Sequence, residues 1–184
     1  MTKRALVLVD IQNDYFATGK WPLEGVDAAA DNAARILAHA RNCGQLVVHI
    51  RHEFNEGDAP FFAPGSEGAM THSKVASRAG EPVVLKHQVN AFVDTPLKSI
   101  LDEQGIEQLT LVGNMSHMCV DAIARAAADY GYANTVIADA CASHELEFGG
   151  VKVPAAQVHA AFMAALAFAY AEVLCTDEYL ARTF

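Results

Sequence analysis

The sequence predicts a single-domain, three-layer α/β protein: a doubly wound sheet of about six parallel strands with helices on both faces. Three observations carry this. Short β-rich apolar runs alternate along the chain with segments of helical periodicity. The first run, Ala5 to Val9, is apolar without alternation, as a strand covered on both faces requires. The chain has 184 residues, 52% of them hydrophobic, which suffices for one core without disulfides or metals.

Each further element has its own local signal. Val26 to Asn42 places Val26, Ala29, Ala30, Ala33, Ile36, Leu37 and Ala40 on one helical face and stops before Gly44. Gln45 to Ile50 and Pro82 to Leu85 read as the second and third strands. Leu97 to Gln104 reads as a helix closed by Gly105, Gln108 to Val112 as the fourth strand, and Ser116 to Tyr130 as a helix closed by Gly131. Asn134 to Ala138 gives the fifth strand and Glu172 to Cys175 the sixth. Between them lies an Ala-rich helix, Pro154 to Tyr170, with its proline in the first turn where a missing N–H costs nothing. Two segments are too long for plain connectors: 51–80, with Pro60, Pro64, Gly65 and Gly68, and Cys141 to Val153, with Gly149-Gly150. Long ordered loops of this kind are expected to serve as lids, binding loops or oligomer contacts.

Charge and cysteine usage exclude several functions. With 13 Lys and Arg against 22 Asp and Glu, the net charge is −9, so no nucleic-acid partner and no anionic membrane surface is expected. No apolar run approaches a bilayer span, and the apolar stretch after Met1-Thr2-Lys3-Arg4 ends at Asp10, too early for a signal-peptide core. A cytoplasmic protein is expected. Cys43, Cys119, Cys141 and Cys175 lie far apart with no CxxC pair, so free thiols are expected, and neither a zinc finger nor a disulfide scaffold. A nucleotide or flavin binder would need a Gly-rich loop after the first strand, where Asp10-Ile11-Gln12-Asn13 stands instead. A redox thiol protein would need a resolving cysteine close in sequence.

Three reactive residues fall at corresponding places. Asp10 follows the first strand, Lys86 follows the third, and Cys119 opens the helix after the fourth. In an open parallel sheet the ligand crevice lies beyond the carboxyl ends of the strands, where their order reverses. Taken singly, each residue has a structural reading: a buried thiol, a turn former, a solvated lysine. Their coincidence at one edge is what points to chemistry. With Ser116 as helix cap, Cys119 would sit at the third helical position, where the helix start favours thiolate. The turn Gly113-Asn114-Met115-Ser116-His117-Met118-Cys119 offers backbone N–H groups for an oxyanion hole. The expected reaction is acyl transfer to Cys119, release of an amine or ammonia, then hydrolysis of the thioester. A non-catalytic small-molecule-binding protein is the alternative of a different kind.

These pieces resemble the isochorismatase-like cysteine hydrolases, which include nicotinamidases and N-carbamoylsarcosine amidohydrolases. The resemblance rests on Leu8-Val9-Asp10-Ile11-Gln12-Asn13-Asp14-Tyr15-Phe16, on Lys86 with Ala91-Phe92, on Gly113 to Val120, and on Asp139-Ala140-Cys141-Ala142-Ser143. It implies a six-stranded parallel sheet and the triad Asp10 (general base), Lys86 (electrostatic support) and Cys119 (nucleophile). It implies a cis bond between Asn114 and Met115, an oxyanion hole from the N–H groups of Met115 and Cys119, and a substrate pocket with Phe16, Phe92 and Asn114; Asn13, three residues after Asp10, is expected to orient Asp10 or a substrate water, with an Asx turn as its structural reading. It also implies a homo-oligomer, a dimer or larger, to which the adjacent Phe61 and Phe62 would contribute. Family members that cleave the vinyl ether of isochorismate use the Asp and the Lys without the cysteine, which makes that reaction the alternative activity.

The chain departs from the family pattern in places. The metal-binding branch carries Asp-x-His after the second strand, whereas His49-Ile50-Arg51-His52 stands here; His52 with His72 alone makes a poor site. No metal and no cofactor are expected. His117, two before Cys119, is expected to point at solvent or another subunit, with a proton carrier at the pocket rim as the other reading. His159 is expected to be a satisfied core or interface histidine.

Overall fold

A computed structural model describes residues 3–55 and 59–182. The chain runs β1 (Arg4–Val9), α1 (Val26–Asn42), β2 (Leu46–His52), β3 (Val83–Lys86), α2 (Leu97–Glu103), β4 (Gln108–Asn114) and α3 (Cys119–Asp129). It continues through β5 (Ala133–Ala142), the short strands β6 (Leu146–Phe148) and β7 (Val151–Val153), α4 (Ala155–Ala169), β8 (Glu172–Leu174) and α5 (Thr176–Leu180). Six strands form one parallel sheet in the order β3-β2-β1-β4-β5-β8, and β6 and β7 form a separate antiparallel hairpin. The doubly wound α/β class predicted from the sequence is the one observed.

The two faces of the sheet have separate cores. Leu6, Leu8, Val47, Val112 and Ile137 pack against the apolar stripe of α1 and against Tyr179 of α5. Val7, Val9, Val48, Ile50, Leu109, Leu111 and Val136 pack against α2, α3 and Met163 and Leu166 of α4. Both faces of β1 are therefore covered, which is why its sequence does not alternate. The buried residues of α1 are those of the predicted stripe.

The strand order reverses between β1 and β4, and these two strands are pressed together. Gly113 pairs with Val9 and adopts φ 124°, a left-handed conformation that favours glycine. A Cβ there would collide with the Val9 carbonyl. The crevice beyond this seam lies between Asp10 and the turn that leads to α3.

Several local expectations are corrected. The helix predicted from Ser116 begins at Cys119, and Ser116 caps nothing: its hydroxyl donates to the Ala142 carbonyl and lies 2.7 Å from His159 Nδ1. The β6–β7 hairpin and α5 carry no strong sequence signal and were not expected. Phe62 does not face a neighbour: it is buried in its own chain, its ring edge-on to Tyr15 at 4.7 Å. Among the described residues no helix is long and apolar enough to cross a membrane.

Candidate active site

Asp10, Lys86 and Cys119 converge at the carboxyl edge of the sheet. Asp10 follows β1 and adopts φ 49°, strained for a residue with a Cβ. Lys86 is the last residue of β3, and Cys119 is the first residue of α3. Lys86 Nζ lies 2.9 Å from Asp10 Oδ2 and 3.2 Å from Cys119 Sγ. All three side chains are buried. β2 separates β1 from β3, and its last residue, His52, pairs with Lys86 in the parallel register. His52 Nδ1 lies 2.6 Å from Lys86 Nζ, and the Gln88 carbonyl lies 3.1 Å from it.

Electrostatics follow from this crowding. Burial pulls the Lys86 ammonium down, but the adjoining Asp10 carboxylate and Cys119 sulfur more than offset it and leave its pKa raised. Burial, then the Asp10 carboxylate, push the Cys119 thiol up, against the pull of Lys86. The expectation of a resting thiolate at the helix start is thereby corrected: the dipole is a small effect beside desolvation and an adjacent anion. Burial and the Lys86 charge hold His52 neutral, its pKa lowered to about 4. Burial, Asp10 and Cys119 also raise the Tyr15 phenol, which lies within electrostatic reach of the pair.

One set of side chains with metal-binding chemistry comes together among the described residues. An Asp10 oxygen, a His52 nitrogen and Cys119 Sγ lie within 4.8 Å of one another. The Lys86 ammonium stands 2.6–3.2 Å from an atom of each, so it already occupies the place of a cation. His72 is not brought to His52; it stacks on Phe16 at 3.7 Å and accepts from the Lys74 N–H.

The first motif divides its labour. Asp10 faces the site. Gln12 donates to the carbonyls of His52 and Ala69 and accepts from the His52 N–H, all at 2.8 Å. Asp14 accepts from the N–H groups of Phe62 and Lys20. Asn13 donates to the Glu67 carbonyl. Three of the motif's polar side chains thus bind the segment after β2 onto the end of β1.

The turn before α3 supplies the other half. The Asn114–Met115 bond is cis. Met118 and Val120 both donate to the Met115 carbonyl, while the Cys119 N–H between them has no backbone acceptor among the described residues. This is the free N–H that a first helical position leaves. Asn114 Oδ1 accepts from the Ala142 N–H and joins the turn to β5.

The expected pocket residues scatter. Phe16 and Asn13 border a groove with His72, Thr71 and Gly68. Asn114 is committed to the β5 backbone. Phe92 packs against Tyr130 and Tyr132, which follow α3, and belongs to the same apolar cluster as Cys119, Val120 and Ile123. His117 is corrected too: it is buried, its Nδ1 2.7 Å from Ser143 Oγ. Sequence reasoning missed Gln12 and Tyr15, and weighed His52 only as a metal ligand. For Gln12 and Tyr15 the signal was the motif itself, where Gln12, Asn13 and Asp14 each bond to a distant segment and Tyr15 packs on Phe61 and Phe62.

An isochorismatase domain model matches residues 4–178. The chain is 45% identical over 176 residues to the isochorismatase family protein YddQ of Bacillus subtilis, covering 96% of this chain and 98% of that one. It is 37% identical over 150 residues to a maleamate amidohydrolase of Pseudomonas putida, covering 73% and 70% of the two chains. The crystal structure of an isochorismatase hydrolase from Oleispira antarctica superposes with a TM-score of 0.95 at 55% identity, covering 98% of this chain and 97% of that one.

Proposed function

This chain belongs to the isochorismatase family and is a hydrolase; from that premise we propose that it cleaves a small-molecule amide, carbamoyl or related C–N bond through a thioester on Cys119. The observation that carries this reading is the buried contact of one ammonium with both a carboxylate and a thiol, at 2.9 and 3.2 Å.

Asp10 takes the Cys119 proton as Sγ bonds to the substrate carbonyl carbon. The carbonyl oxygen becomes an oxyanion and accepts from the N–H groups of Cys119 and Met115. The C–N bond then breaks, and the amine or ammonia leaves with the proton that Asp10 took up. Asp10 next draws a proton from water, whose oxygen attacks the thioester carbon. The C–S bond breaks, the acid product departs, and Asp10 returns the proton to sulfur. Lys86 keeps its charge throughout and stabilises whichever of carboxylate and thiolate is ionised. Because the thiol is raised at rest, substrate binding and proton transfer to Asp10 go together.

Vinyl-ether hydrolysis would use Asp10 and Lys86 and leave the placement of Cys119 unexplained. We take residues 1–184 as one hydrolase domain, working without a metal or other cofactor in the cytoplasm, where its four free thiols stay reduced. We also take it to self-associate, through α4 rather than through Phe61 and Phe62. The α4 helix carries no charged residue, and its outward face exposes alanines and Phe168.

The test is a screen of small primary amides, ureido acids and isochorismate, with ammonia and product readouts, on wild type and Cys119→Ala together. Ammonia release that falls at least about 10³-fold in Cys119→Ala, with the melting temperature kept, supports the reading. Amide turnover retained by the variant rejects it, and isochorismate turnover retained by the variant selects the vinyl-ether reaction.

A further inference from the structure

The group that this mechanism leaves unused is the one closest to the ammonium. His52 Nδ1 is 2.6 Å from Lys86 Nζ, nearer than Asp10 at 2.9 Å, the Gln88 carbonyl at 3.1 Å or Cys119 at 3.2 Å. An ammonium has three protons and accepts nothing, so Nδ1 is the acceptor and the ring proton sits on Nε2. Nε2 is buried with no hydrogen-bond partner among the described residues. The ring is fixed from behind, because Gln12 bonds to both the N–H and the carbonyl of His52. Four acceptors therefore surround three ammonium protons.

We propose that His52 is a positioning residue for Lys86. At rest Nζ donates to His52 Nδ1, to the Gln88 carbonyl and to Cys119 Sγ, while Asp10 faces it as an ion pair at 2.9 Å. A neutral thiol is a weak acceptor, so the bond to sulfur is the weakest of the three at rest. Once Asp10 has taken the thiol proton, the sulfur carries a full negative charge and becomes the stronger acceptor. The N–H that already faces the sulfur then becomes a charge-assisted bond. No N–H bond breaks, and the other two contacts keep Nζ in place while this happens. The remaining titratable groups around the pair are Asp10, Cys119, His87 and Tyr15. The inference rests on Cys119 as the nucleophile, so its test includes a reaction that needs no substrate.

That reaction is alkylation of Cys119 by iodoacetamide, followed across pH by mass spectrometry: a C–S bond forms, iodide leaves and the thiol proton is lost. In His52→Leu the ammonium loses its shortest contact and draws closer to Asp10 and the sulfur, and the midpoint of the alkylation profile falls by about one pH unit. Amide turnover falls about tenfold, with KM within about twofold of wild type. His52→Asn, whose Oδ1 reaches the place of Nδ1, keeps the wild-type profile. His52→Gln, whose amide reaches the place of Nε2, behaves like His52→Leu. Should His52→Leu fail to fold, the Asn and Gln variants carry the comparison between them. Identical profiles for Asn and Gln, or a wild-type profile in every folded variant, overturns the proposal. Shifted alkylation in a protein that turns over no amide supports the His52 role and rejects the amide reading alone.

Discussion

The two halves of the sheet finish differently at the edge where Asp10, Lys86 and Cys119 meet. Beyond β1, β2 and β3 the polar side chains are committed: Gln12 to His52 and Ala69, Asp14 to Phe62 and Lys20, Asn13 to Glu67. Aromatic rings close over them, with Tyr15, Phe61 and Phe62 in mutual contact. Beyond β4 and β5 the chain instead runs out into the β6–β7 hairpin and α4, where Phe148 is 91% and Phe168 92% exposed. Asp10 and Lys86 are thus braced by a nest of hydrogen bonds. The Cys119 side presents apolar surface to its surroundings. Precision in such a site depends on the supporting residues, and on the Cys119 side these are Asn114 and Ser116 bonded to Ala142, and His117 bonded to Ser143.

Four measurements would sharpen or break this contrast. The largest effect is expected for Gln12→Ala, which leaves the His52 N–H and the His52 and Ala69 carbonyls without their partner. Urea denaturation should show a loss of about 3 kcal/mol, and a loss under about 1 kcal/mol would mean that the nest is not tight. Gly68→Ala comes next. Its Cβ would run into the Asp14 carboxylate, so a loss of about 2 kcal/mol is expected in the same measurement.

The third measurement is the melting temperature against pH, which probes one histidine in each half. The fold lowers His52 and His117 from 6.5 to about 4, both mainly through burial. Between these values the unfolded chain binds protons that the folded chain refuses, so stability falls as pH drops from 6.5 toward 4. A melting temperature unchanged across that window would show both rings to be freely solvated. The smallest effect on the fold belongs to Phe168→Ser, within about 0.5 kcal/mol of wild type. Sedimentation should nevertheless show weaker self-association, and a wild-type protein that is monomeric at micromolar concentration would remove α4 as a contact face.

The strand-and-helix alternation was legible because it follows from burial on both faces: α1 begins and ends where its stripe does. Asp10, Lys86 and Cys119 were legible as a group because each ends a strand or opens a helix on the same edge. What the sequence could not show was which loop residues reach back. His52 stands beside Lys86 only through the β2–β3 register, and register is a property of pairing rather than of either strand alone. Phe61-Phe62 looked like surface waiting for a neighbour, but Tyr15 and Asp14, some fifty positions away in sequence by numbering, provide the cover. The thiol's environment was misjudged because helix starts are visible in a sequence and desolvation is not.

The seam at Gly113 has a consequence for how this chemistry can drift. The strand that leads to the sulfur and the strand that leads to the carboxylate touch where no methyl group fits. Descendants of this chain can therefore remodel what they recognise only by rewriting the segments draped above the seam. The spacing of sulfur and carboxylate is held by an atom that is missing.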